Sequence, residues 1–352
     1  MEHLDSLLLD SRYEKQKSSL QIELENFLLK FHPPKDLQSA TPMDVRVFIV
    51  SKDHKGKTVT HLPSCNNESD CNCPKSLSAG SVDSLIGKIR AIFRDNGRDI
   101  DNPAASPIIK SHLKAVRLEQ SKAGVLPKKA IQVQFHKLNK IVHHIRYKLN
   151  NPRLSTLQKY VLLRDVTFFI IIAQSGDRAG DLGQLRLNNI IVAPDESIIQ
   201  ITLTMGKTTK VNSPRVMILP KSDGPFCPVS AFKTYNSFLN EKNLQQTGYC
   251  FKPLLPDNKS LSLDRPFSSS LANDRLKSYL THLKLWQGES SHGIRRNVAS
   301  TLMLLGVSNE GIKAHIGINM DSVLRTYIAP AHSKLQLSTS KSLSDNMAKL
   351  SK

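Results

Sequence analysis

Three things are scarce in this sequence, and each scarcity excludes something. Long apolar runs are missing: VTFFIIIA, at 166–173, has only eight residues, against the roughly 20 that a bilayer-crossing helix requires. That run reads as a buried helix, so a spanning helix is excluded; an anionic membrane surface is the weaker alternative to nucleic acid, and no membrane partner is expected. Acidic residues are few, 30 against 49 Lys and Arg, which leaves a net charge of +19. Such a surplus disfavours cationic partners and favours a polyanion, because each basic side chain that meets a phosphate releases a counterion. Cysteines number five, Cys65, Cys71, Cys73, Cys227 and Cys250. An odd count in a long chain argues against a disulfide framework. The N-terminus, MEHLDSLLLDSRYEK, is acidic early and lacks a signal-peptide pattern, so an intracellular protein is expected.

What is present suggests two domains. The chain has 352 residues, of which 39% are hydrophobic, enough for globular folding but long for a single core. Residues 12–31 alternate charged and apolar positions with helical spacing until HPPK, and TPMDVRVFIVSKDHKG predicts a second helix with Pro42 in its first turn. A segment rich in Cys, Asn, Ser and Pro is inserted at 57–80. Helix resumes at SVDSLIGKIRAIFRDNG, where Leu85, Ile89 and Ile92 form the apolar stripe, widened by Ile86 and Phe93. Arg90 and Arg94 project from the other side. In the next helix Lys110, Lys114 and Arg117 fall on one stripe. A basic stripe is ordinarily a solvated face; two on neighbouring helices of so basic a chain point to phosphate contact. Gly124 and Pro127 stop this helix, and LPKKAIQVQ (126–134) reads as a linker whose Lys128 and Lys129 join the DNA-binding candidates. Beyond it helices surround one β segment, SIIQITLTMGKTTKVNSPRVMILP, which predicts a hairpin with a long turn. The Ser/Lys-rich end, 333–352, reads as a mobile or docking tail. No internal repeat is evident.

Three cysteines crowd into nine residues of the insertion, in the pattern His61-x3-Cys65-x5-Cys71-x-Cys73. One imidazole and three thiolates make a complete tetrahedral donor set for structural zinc, although a polar loop with free thiols remains the alternative. The stretch from SRYEKQK through GKTVTHLPSCNNESDCNCPKSLSAGSVDSLIGKIRAIFRDNG to NPAASPIIKSHLKAVRLEQSKAGVLPKK resembles the ALOG domain of plant DNA-binding regulators. That domain is considered a helical DNA-binding module with a zinc-ribbon insert, derived from retrotransposon tyrosine recombinases. The resemblance implies that His61, Cys65, Cys71 and Cys73 bind zinc.

The second half scatters a few polar side chains among apolar helices. His292 and Arg295 share a helix face at i, i+3. Gly176 breaks the apolar helix in AQSGDRAGDL, and Arg178 follows at the start of another, with Asp181 one turn on to steer it by a charge-assisted bond. Lys207 sits at the hairpin tip, and Tyr327 follows the turn at HIGIN. Each alone has a plain reading: a surface pair, a local salt bridge, a half-buried phenol. In this order and context they resemble the catalytic domain of tyrosine recombinases, over about residues 130–330. The resemblance implies Tyr327 as nucleophile, Arg178 and Arg295 as phosphate clamps, Lys207 as proton donor to the leaving 5′ oxygen and His292 as a proton-transfer assistant, with no cofactor required for catalysis. One departure stands out. The family carries His or Trp nine residues before its tyrosine, and here that position is Ile318, with His315 three residues earlier.

The expected architecture is a mainly α N-terminal domain over 1–130 with a zinc-bound insert, an α+β catalytic domain over 131–332 and the tail, the two domains clamping duplex DNA. A site-specific recombinase or integrase of a DIRS-like or Crypton-like mobile element is the first reading, with double-stranded DNA as partner and self-assembly on it as dimer or tetramer. A domesticated, non-catalytic DNA-binding protein is the second, and Ile318 favours it. An RNA- or chromatin-associated module rests on charge alone. Residence in the nucleus follows from the resemblance to eukaryotic elements.

Overall fold

Hydroxyl side chains set half of the described helix starts. In the computed structural model, which describes residues 11–62, 64–65, 71–125, 130–204, 214–244, 248–255, 257, 260–262 and 265–350, Thr41 accepts the backbone N–H of Asp44 at 3.3 Å and the Asp44 carboxylate accepts that of Thr41 at 2.8 Å. This capping box opens α2 (Pro42–Ser51), and Lys35 clamps the same carboxylate at 2.7 Å. Ser78, Ser106, Ser155, Ser268 and Ser308 cap five further helices through their side chains; each such cap contributes about 1 kcal/mol.

The chain divides into two units, residues 1–128 and 129–352. The first contains α1 (Ser11–Leu28), α2, α3 (Ala79–Asp95) and α4 (Pro107–Lys122). Its core joins Leu24 and Leu28 to Val45, Phe48 and Ile49, and to Val82, Ile86, Ile89, Ile92 and Phe93. Leu85, expected in the centre of the α3 stripe, is only half-buried, and Val82 and Ile86 take that place. The buried face is rotated by one residue because α3 is covered by both α1 and α4. Between α2 and α3 the insertion carries β1 (Thr58–Val59) and β2 (Lys75–Ser76), an antiparallel ribbon pairing Thr58 with Ser76.

The second unit is built around α6 (Thr156–Ser175), whose residues from Leu162 to Ala173 are buried on every side. It packs against α5 (Phe135–Leu149), α8 (Pro228–Glu241) and α10 (Ser291–Leu304), which explains why VTFFIIIA shows no amphipathic period. A buried ionic network fastens α6 to α9 (Ser269–His282). The fully buried Asp165 carboxylate accepts Arg164 at 2.7 Å, Arg275 Nε at 2.6 Å and the Tyr279 hydroxyl at 2.9 Å. Burial, and then the neighbouring Asp165 charge, push the Tyr279 phenol up, so it stays a donor.

The expected hairpin is present as β4 (Ile198–Leu203) and β5 (Arg215–Pro220), in register at Ile201 and Met217. A third strand, β3 (Ile190–Val192), pairs with β4 and was not legible in the sequence as a strand. The short α7 (Ala179–Gly183) follows α6, and α11 (Asn309–Ile316) and α12 (Asp321–Leu350) end the unit. Residues 333–350, read from sequence as a mobile or docking tail, continue α12 as helix. Among the described residues no helix is long and apolar enough to cross a membrane.

Candidate active site and metal centre

In the insertion His61 Nδ1 lies 3.4 Å from Cys65 Sγ and 3.4 Å from Cys71 Sγ. The Leu62 N–H donates to Cys73 Sγ at 3.4 Å. All four donor atoms lie within 4.8 Å of one another. Ligand bonds of about 2.0–2.3 Å to one central ion would space tetrahedral donors by about 3.4–3.8 Å, so the set fits a metal of zinc's size. The four residues singled out from sequence thus form one cluster, held by a ribbon with little apolar content of its own.

The basic residues expected to meet DNA are exposed on α3 and α4: Arg90, Arg94, Lys110, Lys114 and Arg117. Arg117 pairs with Asp83 at 2.8 Å and Arg94 with its neighbour Asp95 at 3.2 Å; such exposed pairs are weak enough to exchange for a phosphate. Lys128 and Lys129 lie outside the described residues.

The second site gathers where α6, α10 and α12 end or begin. Gly176 closes α6 in the left-handed conformation, φ 61°. A side chain there would also strike Ile316 and Val298. The turn delivers Asp177 and Arg178, and the Asp177 carboxylate accepts the Arg178 N–H at 2.8 Å. Arg178 caps the start of α7, and its guanidinium stands 3.5 Å from Asp181, the partner expected from sequence.

Arg295 projects from α10 and is fully buried. Its Nη1 donates to the Gly176 carbonyl at 3.0 Å and its Nη2 to that of Gly317 at 3.2 Å, and Asp177 lies 3.5 Å away. Among the described residues its Nε has no acceptor and stands as a buried donor. Burial and the nearby Arg178 charge lower its pKa, opposed by Asp177, yet a guanidinium starts so high that it remains charged at neutral pH.

Tyr327, on the first turns of α12, is buried, and its ring lies 5.6 Å from the Arg295 guanidinium. Its hydroxyl is 3.0 Å from His292 Nε2. Partial burial, then the charges of Arg295, Arg178 and Arg296, hold His292 below the ordinary imidazole range. The ring is therefore neutral at pH 7, and its Nε2 can accept the phenolic proton. Ile318 packs among Val298, Ile316, Leu324 and Tyr327 and presents no donor. His315 does not take its place: its Nε2 is engaged with the Gln174 carbonyl at 2.8 Å.

The structure thus brings His292, Arg295 and Tyr327 into contact, with Arg178 close enough to act on the first two electrostatically. Lys207 lies outside the described residues. Sequence reasoning missed Asp177 and Arg215. The Asp177 carboxylate holds the Arg215 guanidinium on one side and faces Arg295 on the other. Arg215 also donates to the His315 carbonyl. Asp177 was visible as the first acid of GDRAGD, whereas nothing marked Arg215, at the start of β5, as a neighbour of residues a hundred positions downstream.

A family profile described as the ALOG domain matches residues 5–118. The chain is 35% identical over 125 residues to Protein LIGHT-DEPENDENT SHORT HYPOCOTYLS 5 of Arabidopsis thaliana, spanning 33% of this chain and 69% of that protein. To LIGHT-DEPENDENT SHORT HYPOCOTYLS 8 of the same plant it is 37% identical over 127 residues, spanning 34% of this chain and 77% of that protein.

The chain belongs to the ALOG-domain family.

Its ALOG domain coincides with the unit that carries the His/Cys cluster. Over the whole chain the fold resembles that of tyrosine recombinases and integrases. The Tn1549 transposon integrase in complex with transposon right end DNA matches with a TM-score of 0.55 and 13% identity, over 93% of this chain and 94% of that one. A lambda integrase dimer bound to a COC′ core site matches with a TM-score of 0.51 and 14% identity, over 93% and 92%. At such identity the likeness is one of fold. The mainly helical ALOG unit followed by an α+β recombinase-like unit agrees with the architecture expected from sequence.

Proposed function

We propose that this ALOG-family protein cuts and rejoins DNA through a 3′-phosphotyrosyl intermediate. The observation that carries the reading is the Tyr327 hydroxyl 3.0 Å from His292 Nε2, beside the buried guanidinium of Arg295. Tyr327 Oη attacks the scissile phosphorus as its proton passes to His292. The bond from phosphorus to the 5′ oxygen breaks, and Lys207 protonates the departing oxygen. Arg178 and Arg295 bind the non-bridging oxygens, whose charge grows in the transition state. A 5′ hydroxyl from another strand reverses the sequence, so no bond energy is lost to water.

Arg90, Arg94, Lys110, Lys114, Arg117 and Lys128 of the first unit, with Lys129 at the start of the second, supply duplex affinity through phosphate contacts that position rather than specify. His61, Cys65, Cys71 and Cys73 would hold zinc, which when bound supplies the small ribbon with the core it lacks. Assembly as a dimer or tetramer on DNA, residence in the nucleus and descent from a mobile element complete the reading.

A second reading is favoured by Ile318: a DNA-binding protein that keeps the recombinase shell without the chemistry. A duplex nicked beside the cleavage position separates the two, because the short released fragment diffuses away and leaves the covalent adduct trapped. The adduct forms with the unaltered chain and disappears with Tyr327→Phe under the first reading. Duplex binding without adduct in both establishes the second.

A further inference from the structure

Pro330 lies inside α12, three residues past Tyr327. Proline carries no backbone N–H, so the carbonyl of Thr326, four residues back, loses its helical donor. A guanidinium supplies it: Arg296 Nη2 donates to the Thr326 carbonyl at 3.2 Å. The next carbonyl, that of Tyr327, accepts the Ser300 hydroxyl at 3.0 Å. Both donors sit on α10, one turn apart, and both reach in the other direction as well. Arg296 Nη1 donates to the Ala130 carbonyl at 2.6 Å, and Gln132 Nε2 donates to Ser300 Oγ at 2.7 Å. The segment that contains Ala130 and Gln132 lies directly on α10. Val133 N–H donates to the Gly293 carbonyl at 3.2 Å, and a Cβ at position 293 would stand 2.0 Å from the Ile131 carbonyl oxygen. Only glycine admits the segment there.

Two parallel relays therefore run from residues 130–132 across α10 to the carbonyls at and before Tyr327. We propose that Arg296 is a positioning residue: with Ser300 it ties the segment 130–132 to the turn of α12 broken by Pro330, and so sets the seat of the Tyr327 hydroxyl. The inference rests on the strand-transfer reading above. It gives the chain that enters the second unit a direct hold on the nucleophile's backbone, and it explains why a proline is tolerated within one turn of that residue.

The test uses the full-length protein, the nicked duplex and single-turnover adduct formation over a range of DNA concentrations. Arg296→Met keeps much of the side-chain bulk and removes both hydrogen bonds. The maximal rate falls roughly ten- to hundredfold, as small misplacements of a reacting group do, while the DNA concentration giving half that rate stays the same. Adding Pro330→Ala returns an N–H to residue 330 and recovers most of the loss. Gln132→Leu, at the outer end of the second relay, gives a smaller fall of the same kind. An Arg296→Met rate equal to that of the unaltered chain overturns the proposal, and so does a deficit that Pro330→Ala leaves in place. Should Arg296→Met not fold, an undiminished maximal rate in Gln132→Leu overturns it. Absence of adduct from the unaltered chain is a distinct outcome, which refutes strand transfer itself.

Discussion

Arg295→Lys preserves the charge and removes the fork. The guanidinium now donates to two backbone carbonyls that belong to different turns, Gly176 at 3.0 Å and Gly317 at 3.2 Å. A lysine ammonium is a single point on a flexible stem and cannot satisfy both carbonyls and a phosphate oxygen together. One carbonyl left unpaired in this buried site costs about 1–3 kcal/mol, which lowers the melting temperature by about 2–4 °C for each kcal/mol in a domain of this size. The chemical penalty is separate: loss of one preorganised donor to a developing oxyanion costs about 10²–10³ in rate. Thermal denaturation followed by circular dichroism reads the first effect, and single-turnover adduct formation on the nicked duplex reads the second. An adduct rate within a few-fold of the unaltered protein's refutes the assignment of Arg295 to the phosphate. An unchanged melting temperature refutes its role as the link between the two turns.

Three further outcomes follow from the same geometry. Because His292 is held below its ordinary value of 6.5, its neutral, proton-accepting form persists to more acidic pH; the acid limb of the adduct-rate profile has its midpoint below 6.5, and a midpoint above that value contradicts the assignment. Native mass spectrometry of the intact chain finds one zinc per protein, lost in Cys73→Ser, and stoichiometric binding that survives this substitution rules the cluster out as the site. Duplex affinity falls steeply with salt, and replacing Lys110, Lys114 and Arg117 together by Ala reduces the log–log slope by about 2–3, since each phosphate contact contributes about 0.9; an unaltered slope removes α4 from the interface.

Much of this was legible because it is local. The donor set of the insertion lies within thirteen residues, and His292 and Arg295 are one helical turn apart, so spacing singled out each group while the family resemblance implied its role. The hairpin announced itself by two β-rich runs. What escaped is set by packing. Leu85 and Val82 differ by less than a turn of α3, and which of them is covered depends on where α1 and α4 lie. The strand β3 has three residues, too few for a period to show. Asp177 and Arg215 meet only because β5 folds back on the turn after α6, and Arg296 was not singled out in the sequence because its acceptors, the Ala130 and Thr326 carbonyls, lie on distant segments. The helical form of the end of α12 was not legible either: a Ser/Lys-rich composition suggested a tail, and nothing in 331–350 breaks a helix once it has passed the proline.

The buried carboxylate of Asp165 has a consequence for how the chain comes to be folded. It shares a helix with Arg164, but its other two partners, Arg275 and Tyr279, lie more than a hundred residues further on. During synthesis that charge has only one of its three partners until α9 leaves the ribosome, and α10 and α12 come later still. The N-terminal unit, with a core of its own, faces no such delay and can fold as soon as it emerges. A ribosome releasing this protein thus presents a finished metal-ligand module well before the tyrosine exists, and early termination would leave the first unit folded and the second with an incomplete core.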